Sequence, residues 1–255
     1  MSMAEMINDL QAEQDSLDDV VALLSDDTWL TETPSAGWSV ADQISHLQFF
    51  DERAAMALSD PASFVVDRQD LKARAPHDAS VDFGRARAPH ELVSAWRDSR
   101  RLLIAAAEQV EPTVRVPWYG PSMSVKSFLT ARLMECWAHG EDVGVALRHP
   151  RIPTHRLRHV AHIGVGARAF SLAINALPED VSPIRVDLVG PQGEQWCWGD
   201  EHSKDRVQGE ALDFCLVVTQ RRSLQDSQLQ ILGESAETWM AVAQAFAGAP
   251  SKRSN

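Results

Sequence analysis

The chain has 255 residues, 44% of them hydrophobic, which is the balance of a folded protein with apolar mass for one large or two modest cores. Its formal net charge of -12 excludes nucleic acid and anionic membrane as expected partners, because neutralising phosphates takes clustered Lys and Arg. The three cysteines, Cys136, Cys197 and Cys215, lie far apart with no CxxC pair, which excludes a disulfide framework or a zinc ribbon and fits a reducing cytoplasm.

In chain order, the N-terminus carries no basic n-region, and no apolar run approaches the roughly 20 residues of a membrane span. The chain is therefore expected in the cytosol. Residues 2–24 place Met6, Leu10, Leu17, Val20, Val21 and Leu24 at helical spacing, the mark of a first amphipathic helix. Ser39 followed by Asp42 is a capping box, and it opens a second helix whose apolar side includes Val40, Ile44, Leu47, Phe50 and Ala54. A polar, Arg- and Asp-rich stretch follows and reads as a loop. Pro89 opens a third helix through Leu92, Val93, Trp96, Leu103 and Ile104, since proline is tolerated at a first helical position. After the rigid turn Pro117-Trp118-Tyr119-Gly120-Pro121, a fourth helix runs from about Met123 to Leu147.

The pattern changes at Arg148-His149-Pro150-Arg151-Ile152-Pro153, where two prolines stop the helix and mark a domain boundary. The expected organisation is a helical bundle over 1–150 and a small α+β domain over 151–255. Thr154 caps a helix through about Asn175. Ile184 to Val189 alternates with period two, and Gly190-Pro191-Gln192-Gly193 turns the chain into Gln195-Trp196-Cys197-Trp198, which together predict a β-hairpin. Residues 209–220 read as a helix, 228–232 as a strand and 235–247 as a closing helix, with a frayed tail from Pro250. The fold class is α+β.

Helix four carries Glu135 and His139 at i and i+4, on one helical face and able to hold one metal ion together. His46 on the second helix supplies a third donor. Two histidines and one carboxylate leave a fourth position open, the ligand pattern of a catalytic zinc site. The bland alternative is a solvated polar pair and a hydrogen-bonded core histidine. Against it stands the apolar setting of Leu129, Leu133, Met134, Trp137 and Val143, in which an inward-facing charge needs a partner. Asp42 or Asp142 could orient an imidazole, with the capping box the first role for Asp42. His155, His159 and His162 form a His pair at most, because three donors on one straight helix do not converge. Arg148, Arg151, Arg156 and Arg158 form a basic segment, read either as a solvated linker or as an anion-binding rim.

At Gly37-Trp38-Ser39-Val40, His46-Leu47 and Glu135-x-x-x-His139-x-x-Asp142, the chain resembles the mycothiol-dependent maleylpyruvate isomerase family. That family's N-terminal part is a DinB-like metal-binding four-helix bundle, and it is followed by a small α+β domain. The resemblance covers about the whole chain. It implies that His46, Glu135 and His139 are zinc ligands and that mycothiol is the thiol cosubstrate. Val218-Thr219-Gln220-Arg221 falls where the family often has a glycine and then an arginine implicated in thiol or substrate binding. The resemblance thus gives Arg221 that catalytic and binding role, with Gln220 in the glycine's place and Arg222 adjacent. Pro117 to Pro121 and Met134 to Gly140 resemble an actinobacterial subgroup with no assigned reaction.

The implied function is activation of a low-molecular-weight thiol for addition to a small electrophile, as S-transferase or maleylpyruvate-type isomerase. Tyr119, the only tyrosine, either packs the bundle end or lines the substrate entrance. Two other classes stand beside this reading. One is a hydrolase using zinc-bound water, and the other is a non-catalytic metal-binding module, because the C-terminal part also resembles wyosine-base-formation domains. The electrophile and the choice between monomer and homodimer stay open.

Overall fold

The computed structural model describes residues 2–74, 78–248 and 250. The chain divides into two compact units, Met1–Arg151 and Ile152–Asn255. In the first, α1 (Met3–Val21) is followed by a 3-10 turn (Asp26–Leu30), α2 (Val40–Ser59), α3 (Pro61–Arg74), α4 (Ala79–Arg85) and α5 (Pro89–Gln109). A two-stranded ribbon, β1 (Arg115–Val116) with β2 (Met123–Ser124), leads into α6 (Val125–Ala146).

The four long helices α1, α2, α5 and α6 pack as a bundle, with α2 and α1 each against both α5 and α6. Their starts are written locally. Ser2 with Glu5 and Ser39 with Asp42 form complete capping boxes, which satisfy amide donors that a helix N-terminus otherwise leaves orphaned. Glu91 reaches back to the Ala88 amide at 3.1 Å, and Pro89 takes the first helical position. The core between the helices is made by side chains such as Leu17, Ile44, Leu47, Leu92, Trp96 and Val143.

The stretch between α2 and α5, read from the sequence as a loop, contains α3 and α4. Neither announces itself by periodicity. Of the α3 side chains described, Phe64 alone is fully buried, so no apolar stripe repeats along it. The seven-residue α4 buries Val81 and packs Phe83 on the core, too few apolar residues to show a period, and a hydroxyl on α2 fixes its approach. Ser45 Oγ donates to the Ser80 carbonyl at 2.6 Å and accepts from the Gly84 amide at 2.7 Å. A Cβ at position 84 would lie 2.5 Å from Ser45 Cβ, so glycine is what permits this close approach.

Arg151 also departs from the basic-segment reading. Its guanidinium is buried in the first unit, 2.5 Å from Glu13 Oε1 and 3.6 Å from Glu141 Oε1. It is a bundle residue, not part of a solvated rim.

The second unit runs α7 (Leu157–Gly166), α8 (Arg168–Ile174), β3 (Ile184–Val189), β4 (Gln195–Trp198), β5 (Asp205–Glu210), α9 (Ala211–Val218), β6 (Gln230–Leu232) and α10 (Glu234–Ala241). Its sheet has the order β4-β3-β5-β6, with β3 and β5 parallel and the other pairs antiparallel. The hairpin expected at 184–198 forms, with Val186 opposite Trp198 and Leu188 opposite Trp196. The single helix expected after a Thr154 cap through about Asn175 is instead two, divided at Ala167, and its cap falls at Arg156, two residues later than expected. Strand β5 was not foreseen, because Arg206, Gln208 and Glu210 surround Val207, its one buried side chain. The closing helix stops at Ala241, short of 247. Beyond Pro250, the expected frayed tail lies outside the described residues.

Candidate metal centre

Four polar residues of α6, Arg132, Glu135, His139 and Asp142, form a stripe at spacings of three and four on a helix whose buried positions are otherwise mostly apolar. Such a helix belongs inside a bundle, and its polar stripe must find partners there. The partners come from α2 and the turn before it. Asp142 Oδ2 accepts from Ser35 Oγ at 3.1 Å, the His139 Nδ1 meets Gln43 Oε1, and Arg132 Nη2 lies 2.8 Å from Asp51 Oδ1. The two helices therefore run antiparallel along a polar seam, and His46 enters this seam level with Glu135 and His139.

One donor atom from each of His46, Glu135 and His139 lies within 4.8 Å of the others. Among the described residues this is the one group of three or more His, Cys, Asp or Glu side chains so placed, and His155, His159 and His162 do not form another. His139 Nε2 is 3.3 Å from Glu135 Oε2. The imidazoles of His46 and His139 are 4.5 Å apart between centroids. Burial by itself would raise the Glu135 carboxyl. Hydrogen bonding and charge from His139, with His46 and Arg132, outweigh it and hold the pKa down at about 2. The carboxylate is thus ionised throughout the neutral range, as a hard-metal or zinc donor must be.

Aromatic rings wall the cluster. Trp38 stacks on His139 at 5.9 Å and 12° and lies 5.1 Å from His46, while Phe50 lies 4.6 Å from His46. The turn that delivers Trp38 passes through Gly37 at φ 76°, a conformation glycine adopts without steric cost. The donor set suits a divalent ion: two imidazoles and one ionised carboxylate, held at mutual ligand distance and leaving room for a further ligand.

Tyr119 stands one ring away from this group. It packs edge-on against Phe50 at 5.5 Å and Phe64 at 5.6 Å, next to Trp118, which stacks on Phe64 at 5.3 Å. Burial pushes its phenol up to about 12, so it is a neutral hydroxyl. Its place is explained first by α3, which the loop reading omitted.

Arg221 lies in the second unit, at the end of α9. The helix closes with a Schellman motif: the Arg221 amide donates to the Leu216 carbonyl at 2.8 Å and the Gln220 amide to Val217 at 3.0 Å. Gln220 adopts φ 64°, which is why a glycine suits this position and why Arg221 leaves the helix in a defined direction. Its Nη1 donates to the Thr219 carbonyl at 2.8 Å. Gln220→Val is expected to lower stability by about 1–2 kcal/mol, because a β-branched residue resists the left-handed region. Gln220→Gly should remain near the parent. Thermal melts of the two variants check this, and equal melting temperatures would discount the strain.

Three contributors to the centre were not singled out from sequence. Gln43 and Arg132 carry a readable signal, since each is a polar residue on a helix face that buries. Ser80, 2.9 Å from His46 Nδ1, carries none, because only the docking of α4 brings it there. Asp42 is engaged elsewhere: it caps α2 and accepts a bidentate ion pair from Arg85 at 2.8 and 3.2 Å.

Comparison with known proteins adds the following. Residues 10–144 match the family model described as the mycothiol maleylpyruvate isomerase N-terminal domain. Two uncharacterized proteins, from two strains of Mycobacterium tuberculosis, are each 42% identical over 250 residues, covering 96% of this chain and 96% of theirs. Two crystal structures of the mycothiol-dependent maleylpyruvate isomerase, one of a histidine-to-alanine variant, are similar in fold. Their TM-scores are 0.61 and 0.60 at 13% and 14% identity, over 90% of this chain and 93% of each of those.

Proposed function

Since the chain belongs to the mycothiol maleylpyruvate isomerase N-terminal domain family, we propose that it is an enzyme that uses a divalent metal, zinc first, to activate mycothiol for addition to a small electrophile. The observation that carries this reading is the convergence of His46, Glu135 and His139 within 4.8 Å. These three residues would hold the ion. When bound, it favours the thiolate form of a coordinated thiol and so supplies a nucleophile at neutral pH.

The chain's own residues do the rest. Glu135, ionised and beside His139, contributes a single negative charge, which leaves a divalent centre receptive to one more anion. Trp38 and Phe50 pack against His46, and apolar rings so close to the donors lower the local dielectric and strengthen electrostatic interactions there. Tyr119 offers a neutral hydroxyl at the aromatic edge of the site, and Arg221 of the second unit, a permanent cation, keeps the thiol- or substrate-binding role that the family resemblance implies for it. In the addition, the thiolate sulfur forms a bond to an electrophilic carbon of an activated double bond, and the neighbouring carbon takes the electron pair and then a proton. If that proton is lost and the thiol expelled after bond rotation, the net result is isomerisation. If the adduct is released, it is conjugation.

A hydrolytic reading rests on the same donor set, because two histidines and a glutamate also occur where zinc activates water. Assays of the zinc-loaded protein on a panel of unsaturated acids, with and without mycothiol, separate the two. Turnover that requires the thiol is expected. Equal turnover without it would replace the transferase or isomerase reading with the hydrolase. No helix among the described residues is long and apolar enough to cross a membrane, so assays in detergent-free buffer are the starting point.

A further inference from the structure

We infer that two hydrogen-bond relays, Thr33–Gln43 and Asp78–Ser80, set the tautomers of His139 and His46, so that each neutral imidazole carries its proton on Nδ1 and keeps Nε2 for the ligand bond. The inference rests on the reading of these residues as metal ligands and adds how the site is made ready before any ion arrives.

The argument follows protons outward from groups that cannot donate. The Trp38 carbonyl has no proton, so the hydroxyl of Thr33, 2.8 Å away, must donate to it. With its proton committed, Thr33 Oγ1 can only accept from Gln43, whose side chain lies 2.8 Å away. That fixes the amide: Gln43 Nε2 faces Thr33 and Oε1 faces His139 Nδ1. A carbonyl oxygen is only an acceptor, so His139 must carry its proton on Nδ1. Its Nε2, 3.3 Å from Glu135 Oε2, is then the nitrogen left for a ligand bond, and the one that gives up any proton it shares with that carboxylate when an ion binds. An amide orientation is ambiguous when taken alone, and here the chain from Trp38 removes the ambiguity.

The second relay has the same logic and shares no residue with the first. Asp78 Oδ1 accepts from Ser80 Oγ at 2.6 Å and from the Ser80 amide at 3.1 Å. A carboxylate cannot donate, so the Ser80 hydroxyl proton is spent on it. Ser80 Oγ, 2.9 Å from His46 Nδ1, is left to accept. His46 therefore also carries its proton on Nδ1, and a ligand bond from it would come from Nε2. Ser80 is held in place by Ser45, which donates to its carbonyl at 2.6 Å.

Outer partners of this kind fix ring orientation and raise ligand basicity. Two independent relays that both keep Nε2 for the ligand bond, on rings 4.5 Å apart between centroids, prepare one binding point. Thr33, Gln43, Asp78 and Ser80 are positioning residues, since each acts through an imidazole.

The test has two readouts. In long-range proton–nitrogen correlation spectra of the metal-free protein with labelled histidine, taken where imidazoles are neutral, both His46 and His139 should show the Nδ1–H pattern. An Nε2–H pattern in either would overturn its relay. Zinc affinity, measured by competition with a chromophoric chelator, should fall about 10–100-fold in Ser80→Ala and in Thr33→Val, and Thr33→Ser should restore it. Metal-free melting temperatures near the parent's show that these variants fold. Parent-like affinity in both Ser80→Ala and Thr33→Val would overturn the inference. Nδ1–H patterns in a wild-type protein that binds no zinc would uphold the relays and overturn the ligand reading instead, so the two failures are distinguishable.

Discussion

Glu135→Ala is expected to yield protein that purifies without stoichiometric metal while keeping the circular dichroism of the parent. The carboxylate is the one charged donor among the three convergent side chains, and its removal leaves two neutral imidazoles to hold a divalent cation. Zinc affinity should therefore fall by more than the about 10–100-fold that loss of an outer hydrogen-bond partner costs. Glu135→Gln should behave alike, since the amide keeps the shape and loses the charge. The fold should survive, because the Glu135 side chain retains 24% exposure and the neighbouring core of Leu133, Met134 and Val143 is untouched. His46→Ala is the companion variant from the other helix. Metal analysis of the purified proteins decides the matter, and unchanged zinc stoichiometry in both Glu135→Ala and His46→Ala would remove the site assignment.

Arg132→Met should cost stability rather than metal. Arg132 and Asp51 are among the most buried charges of the first unit, with 4% and 2% side-chain exposure. The guanidinium holds Asp51 Oδ1 through Nε at 3.0 Å and Nη2 at 2.8 Å, and Gln14 reaches the other oxygen at 3.3 Å. Burial pushes the Asp51 carboxyl up against the pull of Arg132, so the pair is no net source of stability at neutral pH. Removing one partner is another matter, because it strands a charge in the bundle, at a cost of about 3–5 kcal/mol. Against a total of about 5–15 kcal/mol for a folded protein, that is a large fraction. The double variant Asp51→Leu with Arg132→Met should recover most of it, since a packed apolar pair of similar volume is close to neutral. Urea unfolding of the two single variants and the double variant gives the cycle. A single-variant loss under about 1 kcal/mol, the level of a surface pair, would show that water reaches Asp51.

The pairing of these two ladders, Asp51 with Arg132 and Gln43 with His139, shows how far sequence reading reached into the site. Glu135 and His139 are one turn apart on one helix, so their common face follows from helical geometry alone. His46 was reached through chemistry, because a catalytic zinc site requires a third donor. Gln43 and Arg132 sit on the same stripes and could have been noticed as polar residues at burying positions. Ser80 and Asp78 could not have been. They approach His46 only because α4 docks on α2 through Ser45 and Gly84, a contact between segments 39 residues apart in sequence with no repeating pattern to report it.

The second unit divides in the same manner. Strand β3 is legible because its burial alternates along six residues. Strand β5 is not, since a single buried valine carries no period, and its parallel pairing with β3 is a choice made by the sheet. The φ of 64° at Gln220 is likewise decided by the Schellman closure of α9, although the missing glycine marked the position.

By itself, then, the sequence determined the α+β class, the four long helices with the capping box at Ser39, the β-hairpin and the three side chains proposed as donors. Each of these follows from residues within a turn, a strand or a short motif, where covalent geometry sets what is adjacent. The tertiary structure alone decided the placement of α3 and α4, the burial of Arg151 on Glu13, the Asp51–Arg132 pair and the partners of the His46 and His139 rings. Those depend on which groups are brought together across long loops, and hydrogen-bond direction is settled only when every donor in the chain has an acceptor to meet.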